Sequence, residues 1–259
     1  MDYKTLLYEK SDGIGIITLN RPKILNALDD TFFKELSIVM DNIAADSEVK
    51  AIVLTGQERV FAAGGDIGFM SKADFLQAEA FVDLITDTLY KIEHSSKPVI
   101  AAISGMALGG GCELALACDI RIAAEGTVFG QPEINLGIFP GAGGTQRLTR
   151  IVGPGWAKYM ILTGLTVDAD TALKIGLVTV VVPKEHLIEK ARSIATILAN
   201  KAPLAMKAAK DSINQGLNVD LKSGLAYEKK TFTILFSTED QKEGMKAFLE
   251  KRTPNYRGC

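Results

Sequence analysis

The feature that most narrows the fold is a rhythm in which short β-rich apolar runs alternate with stretches of helical periodicity. Ile14–Leu19 reads as a strand, followed by the turn-like Asn20-Arg21-Pro22. Phe32, Leu36, Val39, Met40 and Ile43 then recur at helical spacing. Asp29 and Asp30 stand at the start of that helix, where carboxylates are favoured. Ala51–Thr55 is a buried strand closed by Gly56, and Ala80–Ile92 is a helix. Val99–Ser104 is a further buried strand, and Leu114–Cys118 opens another helix. Ile120–Ala123 and Val178–Val182 complete the strands. Strands separated by helices imply parallel pairing with right-handed crossovers, hence an α/β fold.

Past Pro183 only helical patterns remain: Leu187–Leu198, Leu204–Ile213, Leu221–Phe236 and Glu239–Leu249. A boundary near residue 200 is expected, with residues 1–200 forming an α/β core that carries the site. Residues 201–259 form a helical C-terminal portion too short to rely on its own core. It is expected to pack on the main body or on another subunit.

Charge and cysteine usage exclude several classes. The formal net charge is -2, with no long Lys or Arg run, so nucleic-acid binding lacks electrostatic support. No apolar run approaches the roughly 18 residues of a membrane span, and the first ten residues lack a signal-peptide core. A soluble cytoplasmic protein is the default expectation. The three cysteines, Cys112, Cys118 and Cys259, form no metal-type CxxC pair. Cys112 and Cys118 read as buried apolar residues. With only His94 and His186, and no GxSxG elbow, a Ser-His-Asp hydrolase is disfavoured.

Eleven of the 24 glycines fall in three short segments, 61–68, 105–111 and 137–144. One such cluster alone reads as a tight turn. Three together point to backbone that must approach something closely. Gly109–Gly111 sits between a strand and a helix, where free N–H groups can face a ligand oxygen. A phosphate loop is excluded because no GxxxxGK[ST] is present. A dinucleotide loop is excluded because Gln146 stands where GxGxxG needs its last glycine.

Glu113 and Glu133 each lie in an apolar, charge-poor stretch. Separated by 20 residues, they can meet only through the tertiary fold. A carboxylate in such surroundings either has a structural partner or a perturbed pKa and a task. Glu is also favoured in a first helical turn, and Pro132 reads as a first-turn residue, so each glutamate alone is compatible with a structural role.

Several segments carry a resemblance: Phe61-Ala-Ala-Gly-Gly-Asp66, Ser104-Gly-Met-Ala-Leu-Gly-Gly-Gly-Cys-Glu-Leu114, and Phe129-Gly-Gln-Pro-Glu133 continuing through Gly-Ala-Gly-Gly-Thr-Gln-Arg-Leu148. Arg21-Pro22 with Asn26-Ala27-Leu28, and Glu243 through Lys251, add to it. In order and spacing they resemble the enoyl-CoA hydratase (crotonase) family, hydratase branch. The resemblance implies a spiral of ββα units with a C-terminal helical portion, self-associated as a trimer or hexamer. It implies that the Gly65 and Gly110 N–H groups hold a thioester oxygen. It implies that Glu113 activates water and Glu133 exchanges the α-proton. It places Ala62, Ala63, Gly64, Asp66, Ile67, Phe139, Pro140 and Gly141 at the substrate, and Phe248 and Lys251 at the CoA near a subunit interface. Two departures stand out: Gly65 replaces the usual Ala, and Phe139 replaces a smaller residue.

The implied reaction is reversible addition of water to the double bond of a 2-enoyl-CoA, a hydro-lyase activity of fatty-acid metabolism. It builds negative charge on the thioester oxygen, which two fixed N–H donors stabilise. One carboxylate takes a proton from water while another group supplies the α-proton. No metal or redox cofactor is expected, coenzyme A being part of the substrate. Phe69, Met70, Phe81, Leu84 and Phe139 are the candidate walls of a short acyl pocket. The alternatives are an enoyl-CoA isomerase, which needs one carboxylate, a cyclic-dienoyl-CoA hydratase, and a non-catalytic CoA-binding protein. An RNA-binding role lacks the basic helix it would use.

Overall fold

The computed structural model describes residues 3–57 and 59–259. Its strands are β1 (Leu6–Ser11), β2 (Ile14–Leu19), β3 (Ala51–Thr55), β4 (Val99–Ile103), β5 (Met106–Leu108), β6 (Ile120–Ala124), β7 (Val128–Gly130), β8 (Val167–Asp168) and β9 (Val180–Val182). Its helices are α1 (Asp30–Ala45), α2 (Ile67–Met70), α3 (Phe75–Glu93), α4 (Gly110–Leu116), α5 (Gly144–Thr163), α6 (Ala169–Lys174), α7 (Leu187–Ala199), α8 (Pro203–Gly216), α9 (Leu221–Ile234) and α10 (Glu239–Leu249).

The main sheet has the order β1-β2-β3-β4-β6-β9, parallel except for the β1–β2 hairpin. A second sheet, β5-β7-β8, takes the strands that follow β4 and β6, with β8 added antiparallel to β7. Thus β4 leads through β5 to α4, and β6 leads through β7 to α5. The segment after β3 does the same with isolated bridges, Ala62 pairing with Ala107 and Gly65 with Leu28. The chain therefore winds as a spiral of strand, strand and helix.

Both faces of the main sheet are covered, which explains why its strands read as continuous apolar runs. Alternation along β3 and β4 sends Ile52, Leu54, Val99, Ala101 and Ile103 into the larger core beneath α1, α3 and α4. It sends Ala51, Val53, Ile100 and Ala102 to the opposite face. There α7 lays down Leu187, Ala191 and Ala195, one turn apart, and the small alanines let helix and sheet approach closely. No helix among the described residues is long and apolar enough to cross a membrane.

Several expectations need correction. The helix expected to open at Leu114–Cys118 instead starts at Gly110 and ends at Leu116, so Cys118 lies beyond it. Poor helix propensity of its glycines hid a start that burial enforces. The last strand is Val180–Val182, while Leu177 and Val178 turn into the core. Helix α5 went unforeseen because Gly153 (φ 78°) and Pro154 break it internally. The strand β1 went unforeseen because only Leu6 of its residues is buried. Past residue 200, α8 and α9 bury none of their residues.

Candidate active site

The segment 61–66 after β3 is held from below by the Arg21–Asp29 stretch. Asn26, 1% exposed, adopts a left-handed φ of 53°. Its Nδ2 donates to the Phe61 carbonyl at 2.9 Å and the Val60 carbonyl at 3.2 Å, and its Oδ1 accepts from the Arg21 N–H at 2.8 Å. Backbone bonds add to the grip: Ala63 N–H donates to Leu25 O (3.0 Å), Leu28 N–H to Gly64 O (2.8 Å) and Asp66 N–H to Leu28 O (3.0 Å). Arg21 pairs with Asp29 at 2.7 Å and fixes the stretch in turn. The Arg21-Pro22…Asn26-Ala27-Leu28 pattern thus serves to place Gly64 and Gly65.

Facing it is the first turn of α4. Gly109, the N-cap, has φ 50°, a conformation that penalises any side chain. Gly110 is the first helical residue, whose N–H has no partner within a helix. A Cβ built on Gly110 would lie 3.6 Å from Gly65 N, which puts the two amides side by side. Among the described residues neither the Gly65 nor the Gly110 N–H donates to a protein acceptor. Two neighbouring donors with no protein acceptor are free to stabilise a ligand oxygen placed between them.

The glycine at position 65 is not demanded by its backbone. A Cβ there would meet only the Met70 Sδ, at 3.1 Å, the end of a flexible side chain. Gly65→Ala is therefore expected to keep activity and to gain about 0.4–1 kcal/mol by restricting the unfolded chain. A thermal melt with a rise of a few degrees checks this; a fall would place Met70 as rigid.

Glu113, in the first turn of α4, is 3% exposed. Its Oε1 accepts from both the Ala142 and Gly144 N–H groups at 2.8 Å. Burial raises its pKa, and those two donors together with Arg147 pull against that rise. Glu133 stands in the first turn of the 3-10 segment Pro132–Leu136. Half-buried, it is pushed up to about 7, first by burial and then by the charge of Glu113. The Gln131 amide, turned with its nitrogen to the carboxyl, donates to Glu133 Oε1 at 3.1 Å and Oε2 at 3.3 Å. A Cβ on Gly109 would come within 2.9 Å of Glu133 Oε1, so this carboxyl abuts the Gly109–Gly110 turn. A Cβ on Gly144 would lie 3.0 Å from Glu113 Oε1 and would also crowd the Gln131 amide. The fold thus brings the two expected glutamates and the two expected amides to one place. Cys112, beside Glu113, is buried and its thiol pKa is pushed up, so it is inert packing.

The Glu133 shift has a consequence for stability. Its folded pKa of about 7 exceeds the unfolded value of 4.5, so the native state holds the proton more tightly. Stability then falls as pH rises between those values. Glu133→Gln removes this dependence, and its melting temperature is expected to gain on the parent's between pH 5 and pH 7.5. Parallel melting curves across that range would refute the shift.

The remaining candidates divide. Ile67 and Phe139 are exposed beside the turn, Ala63 is half-buried, Gly64 and Pro140 are buried, and a Cβ on Gly141 would touch Val82 of α3 at 3.8 Å. Ala62 is wholly buried, with its N–H and C=O both spent on the β5 ladder, so it supports the loop instead of facing a ligand. Asp66 caps α2 by accepting from the Phe69 N–H at 3.1 Å. Phe69 is partly exposed and backed edge-on by Phe81 at 5.0 Å, while Phe81 itself is buried against Phe33. Leu84 packs half-buried on the core. Phe248, 82% exposed, and Lys251 stand at the end of α10, and among the described residues neither makes a hydrogen bond or ion pair to the glutamates or the 61–66 loop. Sequence reading missed Gln131, the Ala142 and Gly144 amides and Arg147, whose roles depend on chain reversals it could not place.

The family model described as enoyl-CoA hydratase/isomerase matches residues 9–258. A protein of Clostridium acetobutylicum named short-chain-enoyl-CoA hydratase is 47% identical, over 97% of both chains. One of Syntrophomonas wolfei named crotonyl-CoA hydratase is 43% identical over 99% of both. The crystal structure of an enoyl-CoA hydratase from Bacillus anthracis matches with a TM-score of 0.95 at 41% identity, covering 99% of this chain and 100% of that one. The crotonase-like spiral expected from the motifs is the fold observed, and the chain belongs to the enoyl-CoA hydratase/isomerase family.

Proposed function

We propose that this protein is an enoyl-CoA hydratase that adds water reversibly to a short-chain 2-enoyl-CoA. The observation that carries this reading is the convergence of two carboxyls, Glu113 and Glu133, on the turn bearing the Gly65 and Gly110 amides. The thioester oxygen sits between the two N–H groups, which stabilise the enolate as it forms. Glu113, fixed by two backbone donors, accepts the proton of the attacking water. Glu133, with a pKa of about 7, holds a proton it can deliver to the α-carbon at neutral pH. An isomerase would need only one carboxyl; the nearness of two supports hydration instead.

Assembly belongs to the same reading. The C-terminal helices leave Leu221, Leu225, Phe232, Phe236, Phe248 and Leu249 more than half exposed. That much apolar surface marks an interface, and its burial between subunits would bring Phe248 and Lys251 to a neighbouring site. A trimer or hexamer is expected in sedimentation at micromolar concentration.

The functional test is hydration of crotonyl-CoA, followed by loss of enoyl absorbance and by product identification. Formation of 3-hydroxybutyryl-CoA supports the proposal. Conversion of 3-enoyl-CoA to 2-enoyl-CoA without hydration would replace it with isomerisation. Faster turnover of a ten-carbon enoyl-CoA at equal concentration would remove the short-chain assignment.

A further inference from the structure

We propose that Arg147 is a positioning residue for the hydration step: clamped by Glu93, it holds the Ala142–Gly144 turn whose two N–H groups fix Glu113. The inference rests on the hydratase reading and goes beyond it, because Arg147 acts through backbone that touches Glu113 and not on substrate.

The geometry is a relay of short contacts. Arg147 Nη1 donates to the Ala142 carbonyl at 2.9 Å, and the Ala142 N–H donates to Glu113 Oε1. The other edge of the guanidinium meets Glu93 Oε2, with Nη2 at 2.8 Å and Nε at 3.2 Å. The Arg147 side chain is 14% exposed and that of Glu93 33%, so the guanidinium end of the pair is shielded from bulk water and the attraction is less screened than between fully exposed charges. The turn is shaped around this group. Gly143 has φ 102°, and a Cβ there would overlap the Arg147 guanidinium. Position 143 is therefore glycine for two reasons, backbone conformation and the space the guanidinium fills.

Glu93 is itself anchored. It is the last residue of α3, and its carbonyl accepts from Asn214 Nδ2 at 3.2 Å. The preceding carbonyl, of Ile92, accepts from Lys210 Nζ at 3.3 Å, and Lys210 pairs with Asp119 at 2.8 Å. The relay thus runs from α8 through the end of α3 to Arg147, the 142–144 turn and Glu113. A planar, five-donor guanidinium suits this task, since it grips a carboxylate along one edge and a carbonyl along another.

The charged and titratable groups around Glu113 are Glu133 from the 3-10 segment, Cys112 from α4 and Arg147 from α5, with Glu93 from α3 behind Arg147. Arg147 is the cation among them that favours the ionised carboxyl. Two separable effects follow: the guanidinium holds the turn in place, and its charge opposes the burial that raises the Glu113 pKa.

The experiment is the pH profile of kcat on crotonyl-CoA for the full-length parent and for Arg147→Met, Arg147→Lys and Glu93→Ala. Arg147→Met is expected to lower kcat by about 10- to 100-fold, the scale of a small misplacement of a reacting group, with KM little changed. Its acid limb should move to higher pH, since Glu113 without its cation keeps a proton longer. Arg147→Lys keeps the charge and should restore the position of the limb with part of the rate. Glu93→Ala keeps the charge but loosens the grip, so kcat falls without an upward shift. A folded Arg147→Met protein with parental kcat and an unmoved limb would overturn the proposal, as would a variant that lowers only the melting temperature. If Arg147→Met does not fold, parental kcat in Glu93→Ala overturns the grip. If the parent itself does not hydrate, the hydratase reading has failed, not this one. The carbon-13 shift of the Glu113 carboxyl then decides: it should titrate at higher pH in Arg147→Met, and an unmoved midpoint removes the inference.

Discussion

Gly110→Pro is expected to hydrate crotonyl-CoA about 100-fold more slowly than the parent, or worse, while keeping its fold. The size follows from removal of one oxyanion donor, which costs about 100- to 1,000-fold in enzymes of this kind of chemistry. Proline deletes the N–H and fills its place with ring carbon. The site is unusually suited to the test. Gly110 is the first residue of α4, the helical position where proline is best tolerated, because its missing N–H has no helical partner to lose. The nearest neighbours of a Cβ there are Gly65 N at 3.6 Å, Leu28 Cδ1 at 3.8 Å and Gly64 C at 3.9 Å, all ordinary contacts. Circular dichroism and a melting curve supply the control. Parental turnover by a folded Gly110→Pro protein would assign the oxyanion donor elsewhere.

The parts of the fold that could be read in the sequence are those where one force dominates. Strands β2, β3, β4 and β6 are covered on both faces, and that coverage writes unbroken apolar runs. Strands β5, β7 and β8 are two or three residues long, too short for any period to register. They exist because the chain must turn from one sheet to the next. Helix α4 begins in glycines that no propensity scale would choose, and six of its seven residues are buried. There tertiary packing overrides local preference, as it does where Gly153 and Pro154 divide α5.

The site was legible in its parts and not in its assembly. Glu113 and Glu133 were visible as lone carboxylates in apolar sequence, and the glycine segments as free backbone. Their meeting was implied only by the family resemblance, since 20 residues separate the glutamates and one strand of each sheet lies between them. The Asn26 side chain illustrates the same limit. Its bonds to the Val60 and Phe61 carbonyls join positions more than 30 residues apart, so nothing local announces that a buried amide holds the loop after β3. Arg147 is harder still, because its two partners lie on different elements.

Glu113→Gln and Glu133→Gln are each expected to lower kcat on crotonyl-CoA by about 100-fold or more, the usual worth of a positioned acid or base, with KM changing little. The lost interactions belong to the transition state, so they appear in kcat. Folding should survive both changes. A glutamine oxygen at position 113 can still accept from the Ala142 and Gly144 N–H groups, and a neutral amide is not penalised by burial as the carboxylate is. At pH 7.5 the Glu113→Gln protein should therefore melt no lower than the parent. The double variant separates the readings. If both carboxyls act on one water and one α-carbon, each is of little use without the other, and the double should be scarcely slower than the worse single. A purely structural pair would lower the melting temperature and spare kcat. An isomerase would depend on one glutamate alone. Parental hydration by a folded Glu113→Gln protein would end the two-carboxyl mechanism and leave Glu133 as the only proton carrier of the site.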